Sequence, residues 1–433
     1  MHAARVLTIL AAAAGMSSCG PGARDNTPLH AQKASWSTYQ HSADRNAVFQ
    51  GYTLPRDWAY NAKAKINSGL ALVGNTLLFT TFSHKLVALD VRRGQELWET
   101  QLPNIAMSTP IVAGHMVYVG TGRSGILNRN LLLKIKFFRK NVWGVPEGDE
   151  IAAVDLRTGA LRWTYHTVGE NMPSPVYDRG RLVFANGDRH AYALRADTGK
   201  VLWSTDVGGF STMASAVMAG KAVVVGVCTH GMRESYAVAL DSSTGKILWK
   251  SPYGHCDGAP AYADGKVFVS SLQPAKDRLM GKTIIAALDA NTGKPVWVYR
   301  APKFGLWSFV ASDEATIAGT YAAGTYYQAA PFTDEILAFD GASGKLRWSF
   351  HTSAPVKMSP VISNGRLYVG DTVGLLYTLN ARTGKLIELR AFRQPFTTSP
   401  PVIAGNKLIV VNGMSVNAIP LSGKPSFMEA TTG

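Results

Sequence analysis

One eleven-residue segment ending in tryptophan recurs along the chain, and its spacing leaves few folds open. Residues 88–98 read ALDVRRGQELW and residues 153–163 read AVDLRTGALRW. ALRADTGKVLW at 193–203, ALDSSTGKILW at 239–249, ALDANTGKPVW at 287–297 and AFDGASGKLRW at 338–348 repeat the theme. A seventh copy at 378–388, TLNARTGKLIE, has lost its tryptophan, and a degenerate eighth lies near Ala418 and Leu421. Most copies stand 40 to 51 residues apart, with one longer gap between Trp98 and Trp163. A period of that size marks stacked units that cannot bury their apolar faces alone.

The flanks of each copy are short β-rich runs split by turn residues. Ser174-Pro175-Val176, the turn Asp178-Arg179-Gly180 and Leu182-Val183-Phe184 are one example. Ser359-Pro360-Val361 with Asn364-Gly365 is another. Such runs read as hairpins, and each unit supplies four antiparallel strands, one propeller blade. Within the D-x-x-T-G stretch the aspartate can bond turn amides and the glycine can take a positive φ. The tryptophan falls on the outermost strand, where its ring fills the widening gap between blades and its N–H finds a carbonyl. Trp58, Trp98, Trp163, Trp203, Trp249, Trp297 and Trp348 are therefore read as structural. Trp58 has no A-L-D segment before it, and the last unit has no clear outer strand. Pairing the two leaves no open edge. The expected fold is all-β: an eight-bladed β-propeller of four-stranded antiparallel blades, closed by the N-terminal strand. Residues 423–427 are the alternative source of that last strand.

These motifs resemble the pyrroloquinoline-quinone (PQQ) type propeller repeat over roughly residues 58–421. The repeat is shared by the quinoprotein dehydrogenases, which bind PQQ, and by the BamB-type lipoproteins, non-enzymatic scaffolds of the machinery that assembles outer-membrane β-barrels. Size, N-terminus and the near absence of anything outside the propeller resemble the second. The chain has three cysteines and no adjacent pair, unlike the quinoprotein dehydrogenases. The resemblance implies a non-enzymatic periplasmic scaffold whose partner is the barrel-assembly machinery or another envelope protein, with no cofactor. A PQQ- and calcium-dependent oxidoreductase, and a cell-surface propeller for anionic glycan or lipid, are the alternatives.

Residues 1–18 read as a signal peptide: Arg5, then the short apolar run 6–15, then small residues before Cys19. Met16-Ser17-Ser18-Cys19 resembles a lipobox, which implies a lipidated Cys19 at the periplasmic side of the outer membrane. An ordinary secretory signal is the alternative. Residues 19–50 are read as lipidated cysteine and flexible tether, and 51–433 as the propeller. The chain carries 44 lysines and arginines against 29 acids, a net charge of +15, which favours an anionic neighbour. Part of that charge sits in an insertion at 122–149. There Lys134, Lys136, Arg139 and Lys140 flank Phe137 and Phe138, a pattern suited to a membrane surface or a partner groove. An extended hairpin folded onto the ring is the other reading.

The loops joining one blade's outer strand to the next blade's inner strand should converge on one face. They hold Asp257, Trp307, Lys357 and Arg393, candidates for binding an anionic aromatic molecule. A water-filled channel mouth or a docking face would use the same residues. Cys228 and Cys256 fall at same-face strand ends of adjacent blades, either as a disulfide or as two buried thiols. No catalytic residue and no metal site is assigned. The glycines of 120–125 match G-x-G-x-x-G without the βαβ context it needs. Basic charge without a reading motif, in an exported chain, argues against nucleic acid.

Overall fold

The computed structural model describes residues 35–36, 40–49, 51–122, 149–229, 234–274, 280–302, 305–306, 317–329 and 334–424. Eight sheets, each with four antiparallel strands at its core, make up these residues. In chain order the first seven blades span 71–101, 111–166, 176–206, 217–251, 261–300, 317–351 and 361–391. The eighth combines Val402–Ala404, Lys407–Asn412 and Ser415–Pro420 with the N-terminal strand Trp58–Asn61. Trp58 pairs with Ala418 and Asn61 with Ser415, so the N-terminal strand closes the ring; of the alternative, residues 425–427 lie outside the described residues.

The fourth blade shows why the sequence folds this way. Ala222–Cys228 is buried at every position and reads AVVVGVC, as a strand covered on both faces should. Ser235–Asp241 pairs with it in full register. The outer strand Ile247–Ser251 alternates, with Trp249 and Ser251 buried and Leu248 and Lys250 exposed. Apolar faces of neighbouring blades pack on one another, so Val217, Val224 and Trp249 share a cluster with Val267 and Leu288 of the fifth blade.

The tryptophans are the fasteners between blades. Trp249 Nε1 donates to the Ala290 carbonyl at 2.9 Å, and Trp297 Nε1 to that of Gly341 at 3.1 Å. Trp58, Trp98, Trp163, Trp203 and Trp348 donate in the same way to Val91, Leu156, Ala196, Ser242 and Ala381. Each acceptor lies in the next blade's turn, which reads D-x-x-T-G or a variant such as RADTG at 195–199 and NARTG at 380–384. That turn is held by its aspartate: Asp241 accepts from the amides of Ser243 and Thr244, both at 3.0 Å. Gly293 needs to be glycine twice over. Its φ is +68°, and a Cβ there would lie 2.5 Å from the Trp249 ring.

The N-terminal segment read as a tether is bonded to the ring where it is described. The amide of Tyr262 donates to Ala43 O, that of Tyr321 to Asp44 O and that of Ile403 to Ala47 O. Asn46 exchanges two bonds with the backbone of Ile362. The segment thus crosses the inner strands of the fifth to eighth blades, and Val48–Phe49 adds a parallel strand to Val402–Ala404. Innermost strands carry an unpaired backbone edge, and such groups need partners. Arg45 is fully buried. Its guanidinium donates to the carbonyls of Ser215, Ala216 and Pro260, which fixes this strap to the fourth and fifth blades as well.

Candidate functional site

The register of the repeat builds a ring of equivalent positions around the axis. Asn67, Met107, Met172, Met213, Asp257, Lys357 and Thr398 each stand four residues before the start of an inner strand: Ala71–Val73, Ile111–Ala113, Val176–Asp178, Val217–Ala219, Ala261–Ala263, Val361–Ser363 and Val402–Ala404. Two expected residues, Asp257 and Lys357, are in that ring. Arg393 is exposed on the loop entering the eighth blade, on the same face. Trp307 lies outside the described residues, as do Cys19 and the insertion residues Lys134, Lys136, Phe137, Phe138, Arg139 and Lys140.

Asp257 stands on a tightly bonded knot. Cys228 and Cys256 form a disulfide across 28 residues of sequence. The Cys256 carbonyl accepts from three consecutive amides, Thr212 at 3.2 Å, Met213 at 2.9 Å and Ala214 at 2.7 Å. Phe210 and Cys228 exchange two backbone bonds of 2.9 Å. Gly226 lets His255 lie against the fourth blade, since a Cβ there would meet His255 O at 2.0 Å. The Asp257 carboxylate accepts a bond from the Thr212 hydroxyl and keeps 24% of its side chain open. The Asp257 amide donates to His255 Nδ1 at 3.2 Å, which assigns the His255 proton to Nε2. Burial holds the His255 pKa below the usual histidine value, against the pull of Asp257. This is a rigidly held, water-accessible carboxylate beside a neutral imidazole. Such a carboxylate can take a proton from water or bind a cation. Cys228, His255 and Cys256 lie close enough to suggest a metal set, but both sulfurs are spent in the disulfide, so no thiolate is available.

Five members of the ring, Asn67, Met107, Met172, Met213 and Thr398, line one axial cavity with about 10 Å³ of water-holding space, room for about one water. This cavity, as the described residues line it, is too small for PQQ. A tricyclic quinone needs far more space, and the strap already crosses the inner strands of four blades.

A family profile described as outer membrane protein assembly factor BamB matches residues 50–131, 137–236, 217–355 and 332–424. The chain belongs to this BamB-type propeller family. Among curated proteins it is 28% identical over 354 residues to the tetrathionate hydrolase of Acidithiobacillus ferrooxidans, covering 77% of this chain and 68% of that one. It is 22% identical over 357 residues to BamB of Moranella endobia, covering 78% and 81%. The crystal structure of BamB from Moraxella catarrhalis superposes with a TM-score of 0.61 at 18% identity, covering 85% of this chain and 97% of that one. BamB-type propellers thus include this chain by fold, while one of its relatives is an enzyme.

Sequence reasoning missed two participants. Thr212 carries no motif. The strap with Arg45 has no periodicity, and its partners are as distant in sequence as Ile403 is from Ala47. The methionines were within reach, because aligning the repeats on their inner strands superposes Met107, Met172 and Met213.

Proposed function

We propose that this chain is an envelope propeller that hydrolyses a sulfur oxyanion of the tetrathionate class at the channel mouth around Asp257. The observation that carries the reading is Asp257 itself: an accessible carboxylate, buttressed by Thr212, within a chain 28% identical to a tetrathionate hydrolase. Asp257 takes a proton from water as the water oxygen bonds to a bridging sulfur. The central sulfur–sulfur bond breaks with its electron pair leaving on thiosulfate, and the attacked sulfur keeps the hydroxyl and its sulfonate as HO–S–SO3−. The net charge of +15 draws a dianion to the surface, and Lys357 and Arg393 are the cations proposed to receive its sulfonates. The purified chain should release thiosulfate from tetrathionate with a rate proportional to enzyme. No release across pH 2 to 8, a range chosen around the carboxylate and histidine pKa values, would rule the reading out.

A second reading is a non-enzymatic scaffold for outer-membrane β-barrel assembly, anchored through Cys19. Family membership supports it, as does the outer strand of the seventh blade, where Leu386, Ile387 and Leu389 are each 46–47% exposed. An apolar edge strand can accept a partner's strand. Crosslinking in membranes from residue 387 should then capture the central barrel-assembly protein, and a chain that crosslinks to nothing there would exclude this role.

A further inference from the structure

The axial cavity has a donor set that neither reading uses. Its hydroxyls are already occupied. The Gly69 amide donates to Thr109 Oγ1 at 2.9 Å, the Thr109 amide to Ser174 Oγ at 2.8 Å and the Ser174 amide to Ser215 Oγ at 3.0 Å. The first four blades are thereby tied in succession. Thr398 donates to the Asn67 carbonyl at 2.8 Å. The cavity lining also includes Met107, Met172, Met213 and Asn67. Asn67 is 4% exposed, and neither its amide oxygen nor its amide nitrogen has a hydrogen-bond partner. A buried amide left in that state is destabilising, so this side chain points to an occupant.

We infer that Met107, Met172, Met213 and the Asn67 amide oxygen form a site for a soft monovalent metal ion, Cu(I) or its analogue Ag(I). Thioethers are polarisable, neutral donors that select Cu(I) over hard ions. Leucine fills a core as well as methionine and has better-defined rotamers, yet three successive blades place methionine at this register. The water-holding space of about 10 Å³ suits one ion or one water. The Arg45 guanidinium, which donates to the carbonyl of the lining residue Ser215 at 3.2 Å, disfavours a divalent ion about twice as strongly as a monovalent one.

The test uses the full chain with Cys19→Ser, which leaves no free thiol because the other two cysteines are paired. Ag(I) needs no reductant and so spares the disulfide. We expect one Ag(I) per chain to resist a competing chelator, and Met107→Leu/Met172→Leu/Met213→Leu to weaken retention by at least about 100-fold. X-ray absorption of the loaded parent should show sulfur neighbours. Failure of the parent to hold Ag(I), equal retention by the triple variant, or a shell of nitrogen and oxygen alone would each overturn the proposal. The last measurement decides even if the triple variant fails to fold.

Discussion

At the scale of single residues, the ring is assembled by a tryptophan and a glycine acting across blades. Trp249 contributes a hydrogen bond to Ala290 and a buried ring. Trp249→Phe should therefore cost about 1 kcal/mol for the lost bond, and Trp249→Ala about 3–5 kcal/mol, as read by denaturant unfolding. The glycine's two roles can be separated. Gly265 also has a positive φ of +71°, but open space surrounds its missing Cβ, whereas Gly293 faces the Trp249 ring at 2.5 Å. Both Ala substitutions strain the backbone. Only Gly293→Ala adds overpacking, so it should be worse by about 1–3 kcal/mol. Equal losses would show that the tryptophan contact is soft.

At the scale of elements, most blades were legible because their spacing, turn chemistry and outer-strand tryptophan all agree. The seventh was legible despite Glu388 in the tryptophan's place, and the structure shows how that joint is made instead. The Gly423 amide donates to Glu388 at 2.8 Å, and Arg390 donates to Pro420 O at 2.7 Å. The strap of residues 40–49 was not legible as structure. It is an aperiodic segment bonded to distant strand edges, and local pattern carries no trace of such bonds. At the site, sequence marked Asp257 and Lys357 but could not show that five neighbours in the ring close down to one small cavity. The disulfide fastens the loop carrying Asp257 to the fourth blade, and removing it by Cys228→Ala/Cys256→Ala should cost about 2–4 kcal/mol, measured as a fall in Tm. The turns also set an acid limit. Burial alone would raise the Asp178 pKa, but Arg179, Arg181 and Ser242 outweigh it and hold it at about 2. Bonds from Ser243 and Thr244 hold Asp241 at about 2 as well. Folded values below the ordinary 3.8 mean that this stability is complete above pH 4 and is lost as pH falls toward 2. His255, whose pKa is lowered by burial, adds a loss that begins as pH falls below its unfolded value near 6.5. Tm should therefore decline gently below pH 6.5 and steeply below 4.

At the scale of the whole molecule, the N-terminal strand makes the ring a closed object. Trp58–Asn61 supplies the eighth blade's outer strand, and Trp58 in turn fastens to Val91 of the first blade. A chain begun after residue 61 should lose that joint and unfold in more than one step, where the full ring unfolds in one, as followed by tryptophan fluorescence and circular dichroism together. A closed ring also holds the Asp257 loop, the axial cavity and the strap in fixed register, so substitutions at the mouth can be read as chemistry rather than collapse. The measurement that tests the functional account most directly is thiosulfate release from tetrathionate by the unmodified chain and by Asp257→Asn at matched folding. The account predicts turnover by the first and a fall of at least about 100-fold in kcat for the second, the scale of a lost general base. Undiminished turnover by Asp257→Asn would contradict it.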